Sequence, residues 1–151
     1  MNYHEIIKHL FLGNTIPTRE FFHTIVNCTH EIPFSNFCDI RIRIPVNDDI
    51  DDCSKFIQIL SQTNVLQKIY NCISSGKNVL VHCANDYDYD YENQRSFAII
   101  VCYLIKYYNY TPIQAVNYIF EKSGKKSFEN IRFMKAIIAY YYICKRNLNK
   151  K

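Results

Sequence analysis

The chain has 151 residues, enough for one domain over residues 1–151 and too few for a second core. A hydrophobic fraction of 48% excludes a disordered chain, and a net charge of +4 is too modest to announce a polyanion partner. The basic residues Lys125, Lys126, Lys145, Arg146, Lys150 and Lys151 lack interleaved aromatics and read as a solvated face, not a nucleic-acid surface.

Seven cysteines form an odd set with no Cys-x-x-Cys pair, and most of them sit in apolar stretches. Reduced thiols in a cytoplasmic, reducing compartment are the simpler expectation than a disulfide or zinc scaffold. His4, Glu5, Lys8 and His9 exclude a signal peptide at the start, and the longest apolar run, residues 97–105, is too short to span a bilayer. Heavy use of Asn, Ile, Lys and Tyr is the bias of an AT-rich genome, such as that of a large DNA virus.

Taken in order, Leu10-Phe11-Leu12 reads as a strand ending at the turn pair Gly13-Asn14, and residues 18–23 as a short helix capped by Thr18. Residues 24–28 read as a buried strand, and residues 41–46 alternate polar and apolar as a half-covered strand does. After an acidic loop, Phe56, Ile57, Leu60, Val65, Leu66, Ile69, Tyr70 and Ile73 recur near helical spacing, which predicts one helix stopped by Ser75-Gly76. Residues 78–82 form another strand. Residues 96–108 are apolar nearly all round, as in a central buried helix. Thr111-Pro112 opens a further helix, with cap and first-turn proline in the expected places, and residues 127–146 carry a last one. Early strands and late helices make an α/β domain, a small sheet flanked by helices.

The chemistry concentrates between residues 79 and 96. Val79-Leu80-Val81-His82-Cys83 delivers a cysteine to the end of a strand, and Gln94-Arg95-Ser96 opens the next helix. A helix start presents unpaired N–H groups and partial positive charge, which holds an anion and favours a thiolate. Cys83 is thereby a candidate nucleophile toward phosphorus, Arg95 a two-pronged clamp for phosphoryl oxygens, and Ser96 a donor to the departing sulfur. The plainer alternatives are a buried structural thiol at Cys83 and a surface ion pair at Arg95.

Together these segments resemble the dual-specificity, cysteine-dependent protein phosphatases, including the small poxvirus type, over nearly the whole chain. Leu10-Phe11-Leu12-Gly13 and Ile25-Val26-Asn27-Cys28-Thr29 are similar to the family's first strands, and Ile44-Pro45-Val46-Asn47-Asp48-Asp49 to its general-acid loop. Val79 to Cys83 and Arg95-Ser96 match the two ends of its signature. Cys102-Tyr103-Leu104-Ile105 with Thr111-Pro112-Ile113-Gln114-Ala115 is similar to the two helices after it, and Ser127-Phe128-Glu129-Asn130 with Phe133-Met134 to the lead into the last one. The resemblance implies a protein tyrosine phosphatase-like fold and hydrolysis of phosphotyrosine, with phosphoserine and phosphothreonine, through a cysteinyl-phosphate intermediate without metal or cofactor. It implies Asp48 as general acid, with Asp49 the alternative, and His82 as a residue that tunes the thiol. Taken without it, Asp48 and Asp49 are helix caps.

The spacing departs from the family's. Eleven residues separate Cys83 from Arg95 where the family has five, with no Gly among them and carboxylates at Asp86, Asp88, Asp90 and Glu92. Acids turned inward repel a phosphate dianion and hold a thiol protonated. If the insert bulges outward the protein is an active phosphatase; if it destroys the cradle the protein is a pseudophosphatase that binds a phosphoprotein partner. An RNA 5′-phosphatase or phosphoinositide phosphatase, also known among relatives, fits the acidic run less well. The acidic run lacks the Gly and the twelfth-position Glu of a calcium loop.

Overall fold

The computed structural model describes residues 3–13, 20–29, 32–44, 53–83, 94–124 and 133–149. Five strands form one sheet: β1 (Tyr3–Ile7), β2 (Leu10–Gly13), β3 (Thr24–Asn27), β4 (Ile40–Arg43) and β5 (Val79–His82). Their spatial order is β1-β2-β5-β3-β4, with β1 antiparallel to β2 and every other pairing parallel. Five helices are described: α1 (Cys53–Thr63), α2 (Val65–Ser74), α3 (Gln94–Tyr108), α4 (Pro112–Ser123) and α5 (Met134–Asn149). This is the expected α/β architecture, a small sheet flanked by helices.

The inner parallel strands β3 and β5 are buried along their whole length, in keeping with their apolar centres Ile25-Val26 and Val79-Leu80-Val81. Alternation sorts their side chains by face. Val26, Val79 and Val81 join the main core, while Ile25 and Leu80 join a smaller cluster with Phe22 on the opposite face. There the rings of Tyr3, Phe11 and Phe22 meet edge to face, with centroids 5.3–5.8 Å apart.

Helix α3 threads the main core. Every residue from Phe97 to Ile105 is buried, in keeping with its all-round apolar sequence. Ile99 is fully enclosed, so Ile99→Ala is expected to cost about 2–5 kcal/mol of stability, read as a lowered urea midpoint with an unchanged slope. Helix α4 starts as its sequence demands. The Thr111 hydroxyl accepts from the Gln114 backbone at 3.2 Å, the Gln114 side chain accepts from the Thr111 N–H at 2.9 Å, and Pro112 opens the first turn.

Three expectations change. The single helix foreseen between Phe56 and Ile73 is two, broken at Asn64, whose φ of 53° is left-handed. The sequence carried the sign: Leu60 to Val65 is a step of five, out of phase with a helix. Residues 20–23 are not helical, because their backbone groups pair elsewhere. Phe22 N–H donates to Phe37 O at 3.1 Å, and His23 O accepts from Asp39 and Ile40 at 3.1 and 2.9 Å. Thr18 lies outside the described residues. The strand β1 was not foreseen, while the last helix begins at Met134 among the described residues and the stretch expected to open it, residues 127–132, lies outside them.

Candidate active site

The site forms where β5 ends and α3 begins, at the carboxyl ends of the parallel strands. Cys83 follows β5 directly and is fully buried. Its sulfur lies 3.2 Å from the hydroxyl of Ser96, itself buried in the first turn of α3. Arg95, one residue earlier, is 7% exposed. Thiol and hydroxyl thus come together from two elements of the core, with the buried Arg95 adjacent in sequence, and the 15-residue helix starts there with its positive end.

His82 stands behind this group. Its Nδ1 donates to the carbonyl oxygen of Cys83 at 3.2 Å, which places the ring proton on Nδ1. Its Nε2 is buried and finds no hydrogen-bond partner among the described residues. Burial holds the His82 pKa below the ordinary histidine value and Arg43 adds to the effect, against the hydrogen bond to Cys83. The unfolded chain therefore binds a proton at this ring more readily than the folded one. Stability is expected to fall as pH drops through the ordinary histidine range, and His82→Gln is expected to flatten the decline of Tm between pH 7.5 and 5.5. An equal decline in both proteins contradicts a buried neutral imidazole.

A third element adjoins the thiol. Cys28 continues the ladder beyond β3, its N–H donating to His82 O at 2.8 Å. Its thiol is fully buried, and its pKa is raised well above the usual value by burial, then by the charge of Cys83, with Arg95 opposing. Cys83 and Arg95 therefore both lie within electrostatic reach of one thiol. The segment after Cys28 is pinned by side chains. Asn27 Oδ1 accepts from the N–H and hydroxyl of Thr29 at 3.0 and 2.7 Å, and Asn27 Nδ2 donates to Ile32 O at 2.8 Å. Arg43 donates to Thr29 O and Ile32 O at 2.8 and 3.0 Å while stacking over Phe34.

The structure thus joins Cys83 to Ser96 and to His82 by hydrogen bonds, with Arg95 next to Ser96 in the first turn of α3. Asp48, Asp49 and residues 84–93 of the stretch between Cys83 and Arg95 fall outside the described residues. Sequence reasoning missed Cys28 and Arg43 as neighbours of the site. Among the described residues no group of three His, Cys, Asp or Glu side chains converges to hold a metal ion.

The family description "Dual specificity phosphatase, catalytic domain" matches residues 14–143. The chain belongs to the dual specificity phosphatase family. Solved phosphatase structures share its fold. A mouse dual specificity phosphatase complexed with zinc tungstate superimposes with a TM-score of 0.76 at 18% identity, over 97% of this chain and 91% of that one. Human DUSP28 gives 0.73 at 17% identity, covering 96% of each chain. PTPMT1, solved in complex with PI(5)P, gives 0.70 at 15% identity over 98% and 99%. No curated protein sequence matches the chain. Family membership supports protein phosphatase activity on phosphoprotein substrates and lends the pseudophosphatase alternative no added weight. Among the described residues of this phosphatase, no helix is long and apolar enough to cross a membrane.

Proposed function

We propose that residues 1–151 act as one catalytic domain that hydrolyses phosphotyrosine, together with phosphoserine and phosphothreonine, in the reducing cytoplasm, in the manner of the small poxvirus-type enzymes. The Cys83 thiolate attacks phosphorus and displaces the protein hydroxyl, while Arg95 grips two phosphoryl oxygens. Asp48, or Asp49, gives the leaving oxygen its proton and then takes one from the water that cleaves the phosphocysteine. The Ser96 hydroxyl donates to the sulfur as it departs. The observation that carries this reading is the 3.2 Å contact between Cys83 Sγ and Ser96 Oγ beside the buried Arg95.

Two tests bear on it. Purified protein in excess chelator is expected to hydrolyse 4-nitrophenyl phosphate and a phosphotyrosine peptide, with Asp48→Asn slowing the peptide more than the aryl ester, whose leaving group needs less protonation. Ser96→Ala is expected to lower kcat about tenfold or more and to let the phosphocysteine accumulate, seen as a burst of nitrophenol and as added phosphate in the intact mass. A folded wild-type protein that binds a phosphopeptide without turnover makes the domain a binding module. A phosphoinositide substrate, as bound to PTPMT1, is disfavoured by the four carboxylates between Cys83 and Arg95.

A further inference from the structure

The break between α1 and α2 opens a recess far from Cys83. It is a cavity of about 490 Å³, within the roughly 300–1,000 Å³ that encloses a small organic ligand. Asn64, whose left-handed backbone separates the two helices, lies on its wall, and the last turns of α3 and α5 close the other side. Lys106, on that wall, comes ten residues after Ser96 along α3, a distance of about 15 Å at 1.5 Å per residue. His82, Cys83, Arg95 and Ser96 take no part in the lining. The cavity is separate from the candidate active site.

Its chemistry is two-sided. Leu60, Leu66 and Ile105 are almost wholly buried and give it an apolar body. Tyr140 and Cys144 of α5, the polar groups facing that body, are hydrogen-bonded to each other and leave a ligand nothing to satisfy. The exposed rim carries Lys106 and Lys145, and among the described lining residues no Asp or Glu balances them. Each ammonium lies instead over a ring, 5.2 Å from the centroid of Tyr107 and 5.1 Å from that of Tyr141. The carboxyl ends of α1, α3 and α5 bring partial negative charge, about half a unit each. Against them stand two full ammonium charges and the amino end of α2, which Asn64 supplies with no side-chain cap. The rim stays positive.

We propose that this cavity binds an anionic amphiphile, a long-chain carboxylate whose tail lies against Leu60, Leu66 and Ile105 while Lys106 and Lys145 hold its head. The tail supplies affinity and the head supplies selection. Each methylene taken fully out of water tightens binding about three- to fourfold, until the cavity is filled. A neutral head forgoes the two ammonium groups, and a cationic head is repelled by them. Nothing in this site depends on Cys83 or on phosphate chemistry, so it stands or falls apart from the phosphatase reading.

The experiment is calorimetric titration of the whole chain with octanoate and decanoate below their micelle concentrations, beside decanol and decyltrimethylammonium. Decanoate is expected to bind at one site, about tenfold more tightly than octanoate and than decanol, and the cation not at all. Lys106→Gln combined with Lys145→Gln is expected to weaken decanoate about tenfold and to leave decanol unchanged. Ser61→Trp, which fills the cavity from its lining, is expected to abolish binding of both. Ser61, Lys106 and Lys145 are all exposed, so these variants keep the core intact. Decanoate that fails to bind overturns the proposal. So does decanoate bound no better than decanol, the cation or octanoate, and so does wild-type affinity in the lysine double variant or in Ser61→Trp.

Discussion

Cys83→Ser is expected to lower kcat on aryl phosphate by a factor of about 10⁴ or more while leaving the fold in place. The size of the loss follows from the chemistry. A serine hydroxyl ionises far less readily than a thiol, and the Ser96 hydroxyl, 3.2 Å from the thiol, is no base for it. The same partner keeps the new hydroxyl satisfied, so the substitution costs little stability despite complete burial. The variant is expected to retain phosphopeptide binding, because Arg95 and the start of α3 are untouched, and stable complexes with phosphoprotein substrates become available for capture. The measurement is a pair: turnover of 4-nitrophenyl phosphate, and affinity for a phosphotyrosine peptide by calorimetry. Turnover within tenfold of wild type would remove Cys83 from the reaction.

Arg95→Lys tests the other half of the site. Both side chains carry one positive charge, but only the guanidinium offers two parallel N–H groups to two phosphoryl oxygens. Losing one charge-assisted hydrogen bond of about 1.5–3 kcal/mol predicts a fall in kcat/KM of roughly 10–100-fold, and Arg95→Ala, losing both, about 10²–10⁴-fold. Because the grip tightens on the trigonal transition state, kcat is expected to fall as well as KM to rise. At 7% exposure Arg95 is too enclosed for a surface role. An Arg95→Lys enzyme with unchanged kcat/KM means that the guanidinium never meets the phosphoryl group.

The parts of this molecule legible in the sequence are those whose physics is local. Thr111, Pro112 and Gln114 declare a helix start through a reciprocal cap, and the structure has it. Val79-Leu80-Val81 and Thr24-Ile25-Val26 declare strands, and the structure buries both on both faces. Cys83, Arg95 and Ser96 were legible as ends of a strand and a helix that point at each other. What escaped was non-local or irregular. In β1, His4 and Glu5 are both exposed and the register shifts between Glu5 and Ile7, so the two-residue period that marks a strand is broken. Arg43 looked like the polar half of an alternating edge strand, whereas its guanidinium holds two carbonyls of the segment after Cys28. Cys28 read as one more buried thiol. Only strand register, joining residues far apart in sequence, sets it opposite Cys83.

Burial of Cys83 at one end and Ser96 at the other gives the eleven-residue spacing between Cys83 and Arg95 a thermodynamic context. Both moorings of the intervening chain are fastened by the core, independently of what lies between. By loop-closure scaling, a stretch of eleven residues, as here, costs only about 0.7 kcal/mol more to close than one of five. Length in that stretch therefore weighs little on the stability of the whole, which leaves its composition to be set by the chemistry at its two ends.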